Sequence, residues 1–249
     1  MVRSLPAGLA PPKDTMLTDA QLQQVMPKLA AAKLQLLLPH LNRAMQAYGV
    51  DTAQRTAAFI AQLAHESGEF RWMEEIWGPT DAQRRYEPPG ILALRLGNTE
   101  AGDGNRFKGR GPIQITGRFN YAKYGALLGV DLVAHPELAA APETAFATAG
   151  LYWQSNGLNE LADADDFVKI TRRINGGTNG LEDRQKYHAL AVRVLATGFV
   201  AGPALRGAAA RAGAVAGEPL LRGHEAIRRI RVGAAAAGKP VAKVARRVG

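Results

Sequence analysis

From about residue 17 to residue 198 the apolar positions follow the spacing of amphipathic helices, and strand-like alternation is scarce. Thr18 followed by Gln21 fits a helix-opening capping box. Residues 28 to 48 are rich in Leu and Ala and predict two helices divided at Pro39, because proline removes a helix hydrogen bond. Asp51 followed by Gln54 marks the next N-cap, for a helix running to about Ser67, with Gly68 placed to stop it. Pro142 stands at a first helical position before "ETAFATAGLYWQSNG". "DDFVKITRRINGG" ends at paired glycines, and "LEDRQKYHALAVRVLATG" predicts one more amphipathic helix. The best extended piece is "PIQIT", in which Gln114 and Thr116 would share one side and Ile113 and Ile115 the other. The fold class is therefore mainly α.

Composition divides the chain. Apolar residues make up 47% and charged residues 21%, ordinary for a globular protein, and no run of eighteen apolar residues is present. The absence of cysteine excludes disulfides and thiolate metal sites. Net charge is +9, yet residues 201 to 249 alone carry +8 and the preceding 200 residues only +1. This reads as a flexible Pro-rich segment over 1–16, a near-neutral helical body over 17–198, and a basic Ala/Gly-rich tail over 199–249. Met16 is a possible older start. The N-terminus has no apolar h-region, so synthesis in a cytoplasm is expected, with release by other means if the protein works outside.

The chemistry concentrates in three places. In "AQLAHESGEF", Phe59, Leu63 and Glu66 are spaced to share one helix face, the core-facing one. Glu66 is thus expected at the edge of an apolar environment, where desolvation holds a proton available for a glycosidic oxygen; a solvated carboxylate at a frayed helix end is the alternative. Nine residues on, "EEIWG" supplies Glu74 and Glu75, and glycoside hydrolysis needs two carboxyl groups. In "GDGNRFKGRGPIQITGRFNY" five glycines permit an irregular backbone that approaches a ligand closely. That stretch lacks the strand of a dinucleotide fingerprint, and "HESGE" lacks the second His of a zinc-protease helix.

"AHESGEF", "EE", "GRGPIQITGRFNY", "RRINGG" and "DRQKY", in this order, resemble glycoside hydrolase family 19, the chitinase and phage-endolysin family. The resemblance covers about residues 17 to 196. It implies a lysozyme-like, two-lobed helical fold with a sugar-binding cleft, and inverting hydrolysis of β-1,4 bonds in N-acetylglucosamine polymers without a cofactor or metal. Carried over by position, Glu66 matches the general acid and Glu75 the general base, with Glu74 as its rival. Thr116 matches the residue that holds the attacking water. Gln114, Asn120, Tyr121 and Asn175 match substrate-binding positions, and Arg184 matches a basic residue of the site that tunes the acid–base network. His65 is expected to be a hydrogen-bonding partner. Trp72 and Trp77 are candidates to stack on sugar rings, or else core residues.

The expected partner is a polysaccharide, peptidoglycan or chitin, acted on by a monomer. A silent glycan-binding module is a second class of function, opposed by the presence of both Glu66 and Glu75. Nucleic-acid binding is a third, opposed by a near-neutral body and a tail without aromatic residues for base stacking. The tail is expected instead to contact anionic cell surfaces or membranes, with Leu220, Leu221, Ile227 and Ile230 among its arginines.

Overall fold

The computed structural model describes residues 17–196 and residue 198. The expectations for segment 1–16 and for the tail over 199–249 lie outside the described residues. The helices are α1 (Asp19–Val25), α2 (Ala31–Ala47), α3 (Ala53–Ser67), α4 (Asp81–Arg84), α5 (Ile91–Leu96), α6 (Asp103–Arg106), α7 (Arg118–Leu128), α8 (Pro142–Ser155), α9 (Leu158–Asp163), α10 (Phe167–Asn175) and α11 (Leu181–Leu195), with a short 3₁₀ turn at Pro136–Ala140 before α8. Among the described residues β pairing is confined to isolated bridges, Glu74 with Arg110 and Arg110 with Ile115.

Several boundaries fall where the local chemistry puts them. Thr18 and Gln21 form the full capping box of α1. Gly68 ends α3 in the left-handed conformation at φ 60°, and Gly176 ends α10 in the same way. Pro142 is the first residue of α8. Two expectations are corrected. Pro39 does not divide the Leu-rich stretch: α2 runs through it. Pro39 is exposed, while Leu34, Leu37, Leu38, Leu41 and Met45 on the same helix are buried. Burying those side chains at roughly 1.5–3 kcal/mol each outweighs the ~3 kcal/mol cost of an interior proline. The cap of α3 is Thr52, whose side chain accepts from the Arg55 backbone N–H, and Asp51 pairs with the Arg55 guanidinium at 3.1 Å instead.

Helix α3 is the centre of the larger lobe. Ala57, Ala58, Ile60, Ala61 and Ala64 are buried along with Phe59 and Leu63, so α3 is covered on nearly every side rather than along one stripe. It packs most extensively on α11, and α2 packs on α8. Edge-to-face pairs Phe59–Trp153 and Phe70–Phe146, with centroids 5.1 Å and 5.2 Å apart, tie these layers together. A second, small cluster of Tyr86 and Leu96, with Trp77 and Leu92 against it, forms the core of the 76–106 region. The connections 68–75 and 107–116 run beside it, and they carry the site.

At Gly150 on α8 a Cβ would lie 2.3 Å from Cδ2 of the Tyr48 ring. Gly150→Ala is therefore expected to force the ring and helix apart. The cost should be about 1–3 kcal/mol net of the better helix propensity. For a domain of this size that is a fall of roughly 2–12 °C in Tm, measured by thermal unfolding. A variant that melts higher would show that α2 and α8 do not approach so closely.

Candidate active site

Glu66 is the penultimate residue of α3 and is 7% exposed. Its Oε1 accepts from Nη2 of Arg184, which lies one turn into α11 and is fully buried. Nη1 of the same guanidinium donates to Oε1 of Gln62, and Nε2 of Gln62 donates to Thr171 Oγ1 at 2.9 Å. Polar pairs flank this contact along the same two helices. His65 Nδ1 lies 2.5 Å from Asp183 Oδ2, and Tyr187 donates to Glu69 Oε1 at 2.8 Å. Burial of Tyr187, followed by its bond to Glu69, pushes its phenol up. His65 and Glu66 of α3, and Glu69 just past its end, thus face Asp183, Arg184 and Tyr187 of α11. The two helices hold the Glu66 carboxylate against a cation inside a packed interface.

Glu75 is also 7% exposed, in a setting of a different kind. Oε1 accepts from Nε2 of Gln83 at 3.0 Å, and Oε2 accepts from the Gly109 backbone N–H at 3.0 Å. The backbone N–H of Glu75 donates to Gly109 O at 2.8 Å. Gly109 is needed here: a Cβ would stand 2.8 Å from Gln114 Oε1 and 3.4 Å from Glu75 Oε2. Its neighbour Glu74 is 44% exposed, bridged to Lys108 at 3.1 Å and Arg110 at 3.0 Å. Partial burial works to raise the Glu74 carboxyl, but Lys108 and Arg110 together hold it below the usual range.

"PIQIT" is not an extended strand. Gly111 to Gln114 closes a turn, Gln114 N–H donating to Gly111 O at 3.1 Å, and Gln114 adopts φ 55°. All four side chains from Ile113 to Thr116 are buried; the isoleucines join the main core, and Gln114 Nε2 donates to Gly111 O at 2.8 Å and Trp72 O at 3.2 Å. Gln114 Oε1 is buried without a protein partner. Thr116 Oγ1 donates to Gln114 O at 3.0 Å, and Asn120 Nδ2 to Thr116 O at 2.8 Å. The two carboxylate settings are linked through one tight connection. Trp72 N–H donates to the carbonyl of Ser67, beside Glu66, at 2.9 Å, and Trp72 O accepts from Gln114, beside Glu75.

One residue expected to bind substrate is completely enclosed. Tyr121 is fully buried, stacked edge-on with Phe107 at 5.2 Å, its hydroxyl donating to Lys108 O at 2.6 Å and accepting from Arg110 at 2.9 Å. It props the Arg110–Glu74 bridge and offers no face to a sugar. Arg184 is enclosed between α3 and α11, where it positions Glu66. Asn175, the last residue of α10, is 3% exposed with a buried, unpartnered Nδ2. Trp72 and Trp77 are partly exposed, and the Arg71 guanidinium covers the Trp72 ring at 4.7 Å.

Residues 42–169 match the family model described as chitinase class I. A Haemophilus influenzae protein named a glycosyl hydrolase family 19 domain-containing protein is 34% identical over 202 residues, which is 71% of this chain and 96% of the relative. The chain belongs to glycoside hydrolase family 19. An Arabidopsis thaliana endochitinase is 39% identical over 130 residues, 52% of this chain and 42% of the relative, so the chain spans less than half of that plant protein. Among solved structures, chitinase C from Streptomyces griseus superposes with a TM-score of 0.58 at 22% identity, covering 78% of this chain and 98% of that one. A class IV chitinase of family 19 from Zea mays gives 0.52 at 24%, covering 76% and 96%. These likenesses show the lysozyme-like helical fold. The chain is a chitinase-like glycosidase.

The family 19 motifs named the carboxylates and Arg184 but not the other groups that support them. Gln62, Gln83, Gly109 and Asp183 were not anticipated. Gln83 had a visible signal: Thr80 and Gln83 form a second capping box of the same T-x-x-Q type as Thr18 and Gln21. That cap fixes the carboxamide that reaches Glu75.

Proposed function

We propose that this glycosidase cleaves β-1,4 bonds in N-acetylglucosamine-containing wall polymers with inversion, Glu66 acting as general acid and Glu75 as general base. One observation carries the reading: two buried carboxylates sit in unlike surroundings, Glu66 on a buried guanidinium and Glu75 on an amide and a backbone N–H. Unlike environments separate two carboxyl groups at one pH, and the family motif assigns the acid to Glu66, since the Arg184 contact by itself favours the ionised form. Glu66 protonates the glycosidic oxygen as the bond breaks, and Glu75 takes a proton from a water on the other face of the sugar. Thr116 is assigned to that water, with Gln114, Asn120 and Asn175 on the glycan.

Peptidoglycan is the preferred substrate in this reading. The chain spans nearly all of a bacterial relative and under half of a plant endochitinase, and it has no cysteine. It would act at the cell wall after release, with the basic tail against an anionic surface. Chitin is the second reading, favoured by the relatives named endochitinase and chitinase. Mass spectrometry of the products from purified peptidoglycan and from chitin decides between them; soluble fragments from chitin alone would sink the first.

Glu74 is the weaker candidate base, since its two cations hold it ionised and disfavour proton uptake. Glu75→Gln should lower turnover by about 100-fold or more, and Glu74→Gln should change it little. Should only the Glu74 variant lose activity, the base stands one residue earlier.

A further inference from the structure

Tyr86 lies in the small core that also packs Trp77, two residues after Glu75, and it is fully buried. Its backbone N–H donates to Gln83 O at 2.9 Å, and the Gln83 carboxamide in turn donates to Glu75 Oε1 at 3.0 Å. The Tyr86 carbonyl accepts from Asn98 Nδ2 at 2.9 Å, and its ring stands 6.3 Å from that of Trp77, two residues after Glu75. Backbone and ring are therefore fixed, yet the hydroxyl makes no hydrogen bond to any protein group. Buried tyrosine hydroxyls ordinarily find a partner, and an orphan calls for a reason. The nearby carboxylate gives one: burial first, then the negative charge of Glu75, push the Tyr86 phenol up. Other charged groups around the pair are already engaged or lie to the side. Glu74 is held by Lys108 and Arg110, Asp103 by Arg118 at 2.7 Å, and Glu87 accepts from the Gly102 N–H at 2.9 Å. Arg85 precedes Tyr86 and is exposed, and the Tyr121 hydroxyl is spent on Lys108 and Arg110.

We infer that the Tyr86 hydroxyl is a positioning group for Glu75, donating to its ionised carboxylate as a further donor beside Gln83 and the Gly109 N–H. The inference rests on Glu75 being the base. Hydrogen bonds in a catalytic site often close only when substrate is in place, which accounts for a hydroxyl that is buried but unpaired at rest. A carboxylate with two oxygens has lone pairs to spare for a further donor. The added bond favours the charged form and holds the carboxylate still while it receives the proton from water.

The test is Tyr86→Phe, which removes one oxygen and no existing hydrogen bond. It is assayed on the polymer that the wild-type protein hydrolyses, with Glu75→Gln alongside. A hydrogen bond to the charged form lowers a carboxyl's pKa, so deleting it raises that pKa, and the base takes up its proton earlier as pH falls. The acid limb of kcat, which reports the substrate complex in which the bond is made, should move up by about one pH unit. At the optimum kcat should fall about tenfold with KM within about twofold. Tm should be unchanged or higher. An unmoved acid limb with wild-type kcat, beside an inactive Glu75→Gln, sinks this inference and leaves the base assignment standing. Loss of Tm with a raised KM and an unmoved acid limb also overturns it, by making Tyr86 a packing residue. A Glu75→Gln variant with wild-type turnover removes the base itself, and the inference with it.

Discussion

Glu66→Gln is expected to retain the fold and to lose at least about 100-fold in turnover. The amide keeps the shape of the side chain, and its oxygen can still accept from Arg184, so the α3–α11 interface has no void to fill. What it lacks is a transferable proton. Without one, the leaving sugar departs as an unprotonated alkoxide, which is the step general acid catalysis exists to avoid. The loss should appear in kcat with KM little changed, because the interaction removed is made only as the bond breaks. Circular dichroism and binding of a chito-oligosaccharide by the inactive variant separate a chemical defect from a folding one. Near-wild-type turnover would take the acid out of the mechanism and leave Glu66 as a structural partner of Arg184.

How much of this was legible in the sequence follows from the range over which each feature is decided. Caps are decided within four residues, so Thr18 with Gln21, Gly68, Pro142 and Gly176 are where local chemistry puts them. Pro39 is a local signal overruled by non-local packing, since the Leu residues around it reach the core shared with α8. "PIQIT" has the alternation of a strand, but its conformation is set by bonds to Trp72 and by the pairing of Arg110 with Ile115 and Glu74. The positive φ at Gln114 has no sequence mark at all, and strained residues of this kind gather at functional sites. Glu66 was placed on a buried helix face, yet its chief partner is 118 residues away on α11. Nothing in the helical periodicity of either segment states that pairing. The motif order carried it only as a family likeness, in which Arg184 matches a basic residue tuning the acid–base network.

That buried pair supports the second large effect. At a pH where Glu66 is ionised, Arg184→Met should destabilise the protein by about 3–5 kcal/mol, because it leaves the Glu66 carboxylate enclosed without a counter-charge. For a domain of this size the drop in Tm is on the order of 10 °C. Methionine fills much of the arginine's stem volume, so most of the loss is electrostatic rather than a cavity. The double variant, Glu66→Gln with Arg184→Met, removes both charges together. It should recover a large part of that stability, giving a coupling of about 2 kcal/mol in the cycle measured by urea unfolding. A buried pair of this kind costs as much to desolvate as it returns, so its presence is explained by the acid it positions rather than by stability. Activity should sort the same variants differently. The double variant is the more stable of the two that lack the guanidinium, yet it should be no more active than Glu66→Gln alone. If the double variant is as unstable as Arg184→Met, the guanidinium acts through packing with Gln62 and α3, and the electrostatic account of the Glu66 setting fails.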